Sequence, residues 1–103
     1  MFSIHNYLKK LKVKAQKDRV VALTEFGGYA FPIPGHLACD KEFGYKNYKT
    51  KEELTAAYRK VFAEDIYPNL EKGLCSAIYT QTSDIEEEIN GLMTYDREEN
   101  KFI

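Results

Sequence analysis

Val20-Val21-Ala22-Leu23-Thr24-Glu25-Phe26-Gly27-Gly28-Tyr29 decides how this chain is read. Four apolar residues come first, and a carboxylate stands where the run stops. Two glycines follow at once. A short apolar run closed by a turn signal predicts a strand over Val20–Thr24, buried on both faces. A carboxylate at the C-terminal lip of such a strand is where α/β folds keep their chemistry.

Working outward, Leu74-Cys75-Ser76-Ala77-Ile78-Tyr79 reads as a second short strand. Between the two lies a helix with a sharp start. Thr50-Lys51-Glu52-Glu53 is a capping box, with Thr50 as N-cap and Glu53 three residues on. Leu54, Ala57, Tyr58, Val61 and Phe62 form one apolar face, continued by Ile66 and Leu70. Pro68 should kink this helix, because it lacks an N–H and crowds the carbonyl of Glu64. Lys72-Gly73 is a C-terminal signal. Strand, crossover helix and strand make one parallel unit.

Upstream, Ile4, Tyr7, Leu8 and Leu11 fall on one helical stripe, which predicts a helix from Ser3 to about Lys14. Lys9, Lys10, Lys12 and Lys14 form a basic cluster that reads as a solvated face, since no aromatic or glycine pattern is interleaved, with phosphate binding as the alternative. Glu25 to Lys49 reads as a long loop holding four glycines, Pro32 and Pro34. A loop of that length with several aromatics points to function. Thr80 to Asp84 is polar and turn-rich, and the charged tail is expected to fray.

The totals allow one small domain over residues 1–103. Fifteen basic and sixteen acidic residues nearly cancel. Such a balance gives no global pull toward nucleic acid or a membrane. Eight tyrosines and no tryptophan favour a binding surface, since tyrosine buries a ring while keeping a wet hydroxyl. Cys39 and Cys75 lack metal-ligand spacing and read as reduced thiols. No segment approaches the ~18 apolar residues of a membrane span, and the N-terminus lacks the apolar region of a signal peptide. The expected compartment is the cytoplasm.

Glu25 is the leading catalytic candidate, a nucleophile or base on a rigid strand end. Exposed strand-end glutamate is the plain alternative. Tyr29 and Phe31 either stack on a substrate ring or pack under the loop. His36 is placed to hydrogen-bond a ligand, and His5 reads as a surface residue. Asp40, Asp84 and Glu86 are candidate second carboxylates. No metal or other cofactor is expected.

Leu23-Thr24-Glu25-Phe26-Gly27-Gly28-Tyr29 resembles the nucleophile segment of glycoside hydrolase family 2, the β-galactosidase and β-glucuronidase group. Tyr79-Thr80-Gln81-Thr82-Ser83-Asp84-Ile85-Glu86-Glu87-Glu88-Ile89-Asn90-Gly91-Leu92 resembles that group's last barrel strand and following loop, and Tyr95-Asp96-Arg97 continues the likeness. The resemblance implies an α/β fold, a partial (β/α)8 barrel in the order helix-strand-long loop-helix-strand. Other barrel strands or further copies of the chain would complete it.

The same resemblance implies that Glu25 is the nucleophile of a retaining hydrolase acting on carbohydrate. Tyr79 stands where the family often places a sugar-stacking tryptophan, and Gln81 and Asp84 would rim the pocket. The family's acid/base glutamate has no counterpart here, so the chain alone should not turn over. The other expectation is a non-catalytic oligomerising or carbohydrate-binding module, motivated by two strands with uncovered edges.

Overall fold

The structure is a computed structural model and describes residues 1–39 and 44–102. It contains five strands in two parallel sheets, with one main helical run. The strands are β1 (Phe2–Asn6), β2 (Val21–Gly27), β3 (Tyr29–Ala30), β4 (Lys46–Asn47) and β5 (Leu74–Thr80). The larger sheet has the order β1-β2-β5, all parallel, and β3 pairs with β4.

This corrects the expected fold. The chain is not a (β/α)8 barrel fragment in the order helix-strand-long loop-helix-strand. Its first element is a strand, the β1–β2 connection over residues 7–20 holds no helix, and a second small sheet grows inside the supposed loop. The stripe Ile4, Tyr7, Leu8, Leu11 is overruled by the period-two alternation of Phe2 and Ile4 with Ser3 and His5. Phe2 and Ile4 pack on the core cluster of Val21, Leu23, Phe26, Ile66 and Leu74. Leu8, at φ 60°, then turns the chain out of any regular element.

Beyond that turn Leu11 and Val13 enter the same core, two residues apart as in a strand. They pair with a side chain instead of a strand. The buried Asn69 amide donates to the Leu11 carbonyl at 3.2 Å and to the Asp65 carbonyl at 2.6 Å. Its oxygen accepts from the Val13 N–H at 3.1 Å.

The helical run starts as the sequence predicts. Thr50 accepts from the Glu53 N–H at 3.1 Å, while Glu53 reaches back to the Lys49 N–H at 3.3 Å. Helix α1 (Lys51–Val61) passes into a π-helical turn (Phe62–Ile66) and then α2 (Tyr67–Leu70). The widened turn lies just before Pro68, which donates nothing to the carbonyl of Glu64. That carbonyl accepts from the Lys10 ammonium at 2.5 Å instead.

The tail does not fray. The Lys101 side chain is 0% exposed and its ammonium lies 2.6 Å from Asp84 Oδ1, itself on a carboxylate 1% exposed. The ammonium also donates to the Ile89 carbonyl at 2.9 Å. Burial pulls the Lys101 ammonium below its ordinary range, against the opposing pull of Asp84. Phe102 then lies edge-on to Tyr58 with centroids 5.0 Å apart. Gly91 closes over this knot, where a Cβ would collide with the backbone of Ser83 and Asp84. Among the described residues no helix is long and apolar enough to cross a membrane.

Candidate functional site

Glu25 owes its position to an irregularity in β2. Leu23 and Phe26 both belong to the core, yet they stand three apart, where a regular strand needs an even spacing. Both neighbouring strands record the extra residue. Ile4 pairs with Leu23 and His5 with Glu25, while Ala77 pairs with Leu23 and Tyr79 with Phe26. A bulge re-aims the side chains that follow it. Without it Glu25 would share the face of Leu23 and point into the core. The Thr24 hydroxyl satisfies the local ladder, lying 2.6 Å from the Ser3 hydroxyl and donating to the Ile4 carbonyl at 3.3 Å.

Glu25 thus shares the open face of the sheet with His5. Its Oε2 meets His5 Nδ1, with the two side chains 40% and 59% exposed respectively. Among the described residues no hydrogen bond occupies Oε1. Tyr7, two residues beyond His5, stacks on Tyr45 with centroids 3.9 Å apart and planes at 10°. Both rings rest on Gly28, at φ 71°, where a Cβ would strike each of them. Burial pushes the Tyr7 hydroxyl above its ordinary pKa, against a hydrogen bond to Thr80, and the negative charges of Glu25 and Glu88 add to the rise. The result is a half-exposed carboxylate, a histidine holding one of its oxygens, and a flat aromatic wall beside it.

The other residues singled out from the sequence lie elsewhere. Tyr79 sits on the helix-covered side, its ring edge-on to Phe26 at 5.4 Å and to Tyr58 at 5.1 Å. Its hydroxyl is buried without a hydrogen-bond partner among the described residues, and burial holds it well above the ordinary tyrosine range. Tyr29 packs edge-on to Tyr48 at 5.7 Å and is itself pushed up to about 12, chiefly by burial. Gln81 is tied to the following loop, its amide donating to Asn90 Oδ1 at 3.3 Å. Asp84 Oδ1 is taken up by Lys101 and by the Gly91 N–H at 2.9 Å, while its Oδ2 is buried without a hydrogen-bond partner among the described residues.

His36 Nδ1 lies 2.6 Å from Asp96 Oδ2 and 3.8 Å from Glu98. Its partners therefore come from the C-terminal segment and not from Glu25. These three residues form a group of the ligand types that hold metal ions. The short histidine–carboxylate hydrogen bond occupies His36 Nδ1 and Asp96 Oδ2. Glu86 is exposed, at φ 52°, and Asp40 lies outside the described residues. Cys39 and Cys75 are exposed, and no disulfide joins them.

His5 and Tyr7 are the residues that sequence reading passed over. Their signal was the alternation Phe2-Ser3-Ile4-His5, which puts His5 on the open face of a strand parallel to β2, with Tyr7 just past the strand's end. The helical stripe through the same residues masked it. Comparison of the chain with protein-family models and with curated proteins gives no match.

Proposed function

We propose that this chain carries the nucleophile segment of a retaining glycoside hydrolase, with Glu25 as the nucleophile. The observation that supports the reading is the bulge at Thr24, which takes one carboxylate out of the core and lays it on the open face against His5. Glu25 Oε1 attacks the anomeric carbon and the glycosidic bond breaks, its electron pair leaving with the aglycone oxygen. Water then hydrolyses the glycosyl ester. His5 orients the carboxylate through Oε2, and the Tyr7–Tyr45 pair offers a flat surface to a sugar ring. Leaving-group protonation requires a second carboxyl about 5–5.5 Å from the first. Glu88 acts on the same Tyr7 hydroxyl as Glu25, but no contact joins the two acids among the described residues.

An activated fluoro-glycoside, whose dinitrophenolate leaves without protonation, tests the nucleophile directly. A glycosyl adduct mapping to Glu25 and absent from Glu25→Gln is expected. An adduct on another residue, or one that persists in Glu25→Gln, would sink the assignment. Ordinary aryl β-galactosides and β-glucuronides should not be turned over measurably by this chain alone. Robust turnover lost in Glu25→Gln would overturn that expectation.

A second reading is a self-associating module. The observation favouring it is β5, an edge strand whose residues Cys75 to Ile78 are exposed on both faces, Ile78 at 56%.

A further inference from the structure

On the helix-covered side, at the C-terminal ends of β1 and β2, a cavity of about 460 Å³ opens between the sheet and α1. Glu25 takes no part in it. Four lysines line it: Lys9 and Lys10 after β1, Lys46 on β4 and Lys60 on α1. Two carboxylates line it too. Asp65 is taken up by Lys10 at 3.1 Å, and Glu64 lies 4.0 Å from Lys60. Lys9 and Lys46 have no carboxylate partner among the described residues. Lys46 instead stands 5.6 Å from the Tyr48 ring centre. The chain as a whole has a formal charge of −1, so this concentration of cations is local.

Tyr29 and Tyr48, packed edge-on, give the cavity an aromatic corner. Next to Tyr29 stands Tyr79, whose buried hydroxyl lacks a partner among the described residues. The volume falls within the range of about 300–1,000 Å³ typical of small-molecule sites. It far exceeds what a bare oxyanion fills. Two ammonium groups without a carboxylate partner among the described residues match a dianion better than a monoanion. A phosphomonoester carries about −1.5 to −2 at neutral pH, where a carboxylate carries one charge. Lysine binds phosphate as a point charge that needs no bidentate geometry.

We propose that this cavity binds a small phosphomonoester, with its phosphate between Lys9 and Lys46 and its organic ring against Tyr29 and Tyr48. The site is independent of the glycoside reading, because it shares no residue with the Glu25 face.

The test is an amide-resolved NMR titration at low salt with three probes: a hexose phosphate, inorganic phosphate and the unphosphorylated hexose. The hexose phosphate should saturably shift the amides of Gly27, Ala57 and Val61. Inorganic phosphate should bind at least tenfold more weakly, and the plain hexose should leave those amides unmoved. Lys9→Gln with Lys46→Gln, both exposed positions, should raise Kd at least tenfold without disturbing the remaining spectrum. Arginine at both positions should retain binding, as should Glu25→Gln. A response to the plain hexose, an unchanged Kd in the double glutamine variant, or shifts scattered over Lys12, Lys14 and Lys17 would each overturn the proposal. Equal binding of inorganic phosphate and the ester would overturn the role given to the tyrosines.

Discussion

Single residues decide which segments are joined, and His36 shows it. Asp96 Oδ1 accepts from the Thr94 hydroxyl at 2.6 Å and from the Glu98 N–H at 3.0 Å, leaving Oδ2 for the imidazole. These bonds hold the Asp96 carboxyl down to about 2. The hydrogen bond to Asp96, helped by the charges of Asp96, Glu99 and Glu98, raises the His36 imidazole above its ordinary 6.5. The signs set a window. The histidine's contribution is full below 6.5 and disappears as pH rises through its raised folded value. The aspartate's contribution is full above 3.8 and disappears as pH falls through about 2. The clamp between the 31–39 segment and the C-terminal segment is therefore strongest in mildly acidic solution. An NMR titration should place His36 above the ordinary histidine value, and Asp96→Asn should lower it. An unchanged titration in Asp96→Asn would show that the contact does not form in solution.

Among the elements, the helical run does two jobs, and only one was legible in the sequence. Its start, its apolar face and the disturbance at Pro68 follow from Thr50, Glu53 and the spacing of Leu54 to Leu70. The second job belongs to Asn69. A lone polar residue between Pro68 and Leu70 carries no sequence signal for a partner more than fifty positions away. Yet its amide replaces a strand edge for Leu11 and Val13. Leaving a buried donor or acceptor unpaired costs about 1–3 kcal/mol, and Asn69→Leu strips partners from two buried groups, the Val13 N–H and the Leu11 carbonyl, and from the part-buried Asp65 carbonyl. The expected loss of about 2–4 kcal/mol is read as a lower urea midpoint with an unchanged slope. A midpoint within error of the parent would show that water replaces Asn69 freely. Strand β1 was missed for a related reason. Ile4, Tyr7, Leu8 and Leu11 satisfy a helical period, and only the parallel neighbour β2 favours the alternating one.

At the scale of the whole molecule, the radius of gyration is 14.7 Å and the extents are 49 × 23 × 20 Å. A compact chain of about 100 residues has a radius near 13 Å. The excess length fits an open sheet, with β1 and β5 as free edges. Strand β5, the body of β2 and the parallel crossover between them were legible, because each rests on a contiguous stretch. Strand β2 runs from Val21 to Gly27, however, so Glu25 lies within the strand and not at its lip. The bulge, the Glu25–His5 contact and the small β3–β4 sheet were not, because each depends on register between distant segments. Light scattering on the purified chain should give a mass well above 11.9 kDa. Ile78→Lys on the open strand should lower it toward the monomer. A parent protein that is monomeric at micromolar concentration would dismiss the self-associating reading.

The Lys101–Asp84 pair also sets an order of events. Asp84 cannot be buried at low cost until its counter-charge, 17 residues later, has been synthesised. At about 5–20 residues per second, a ribosome leaves a gap of roughly one to three seconds. Through that interval the three parallel strands are complete in sequence, while the loop from Gln81 to Leu92 still lacks its buried counter-charge. Burial of Asp84, ordering of its loop and docking of Lys101 are thus a single event, because neither charge is buried at low cost without the other.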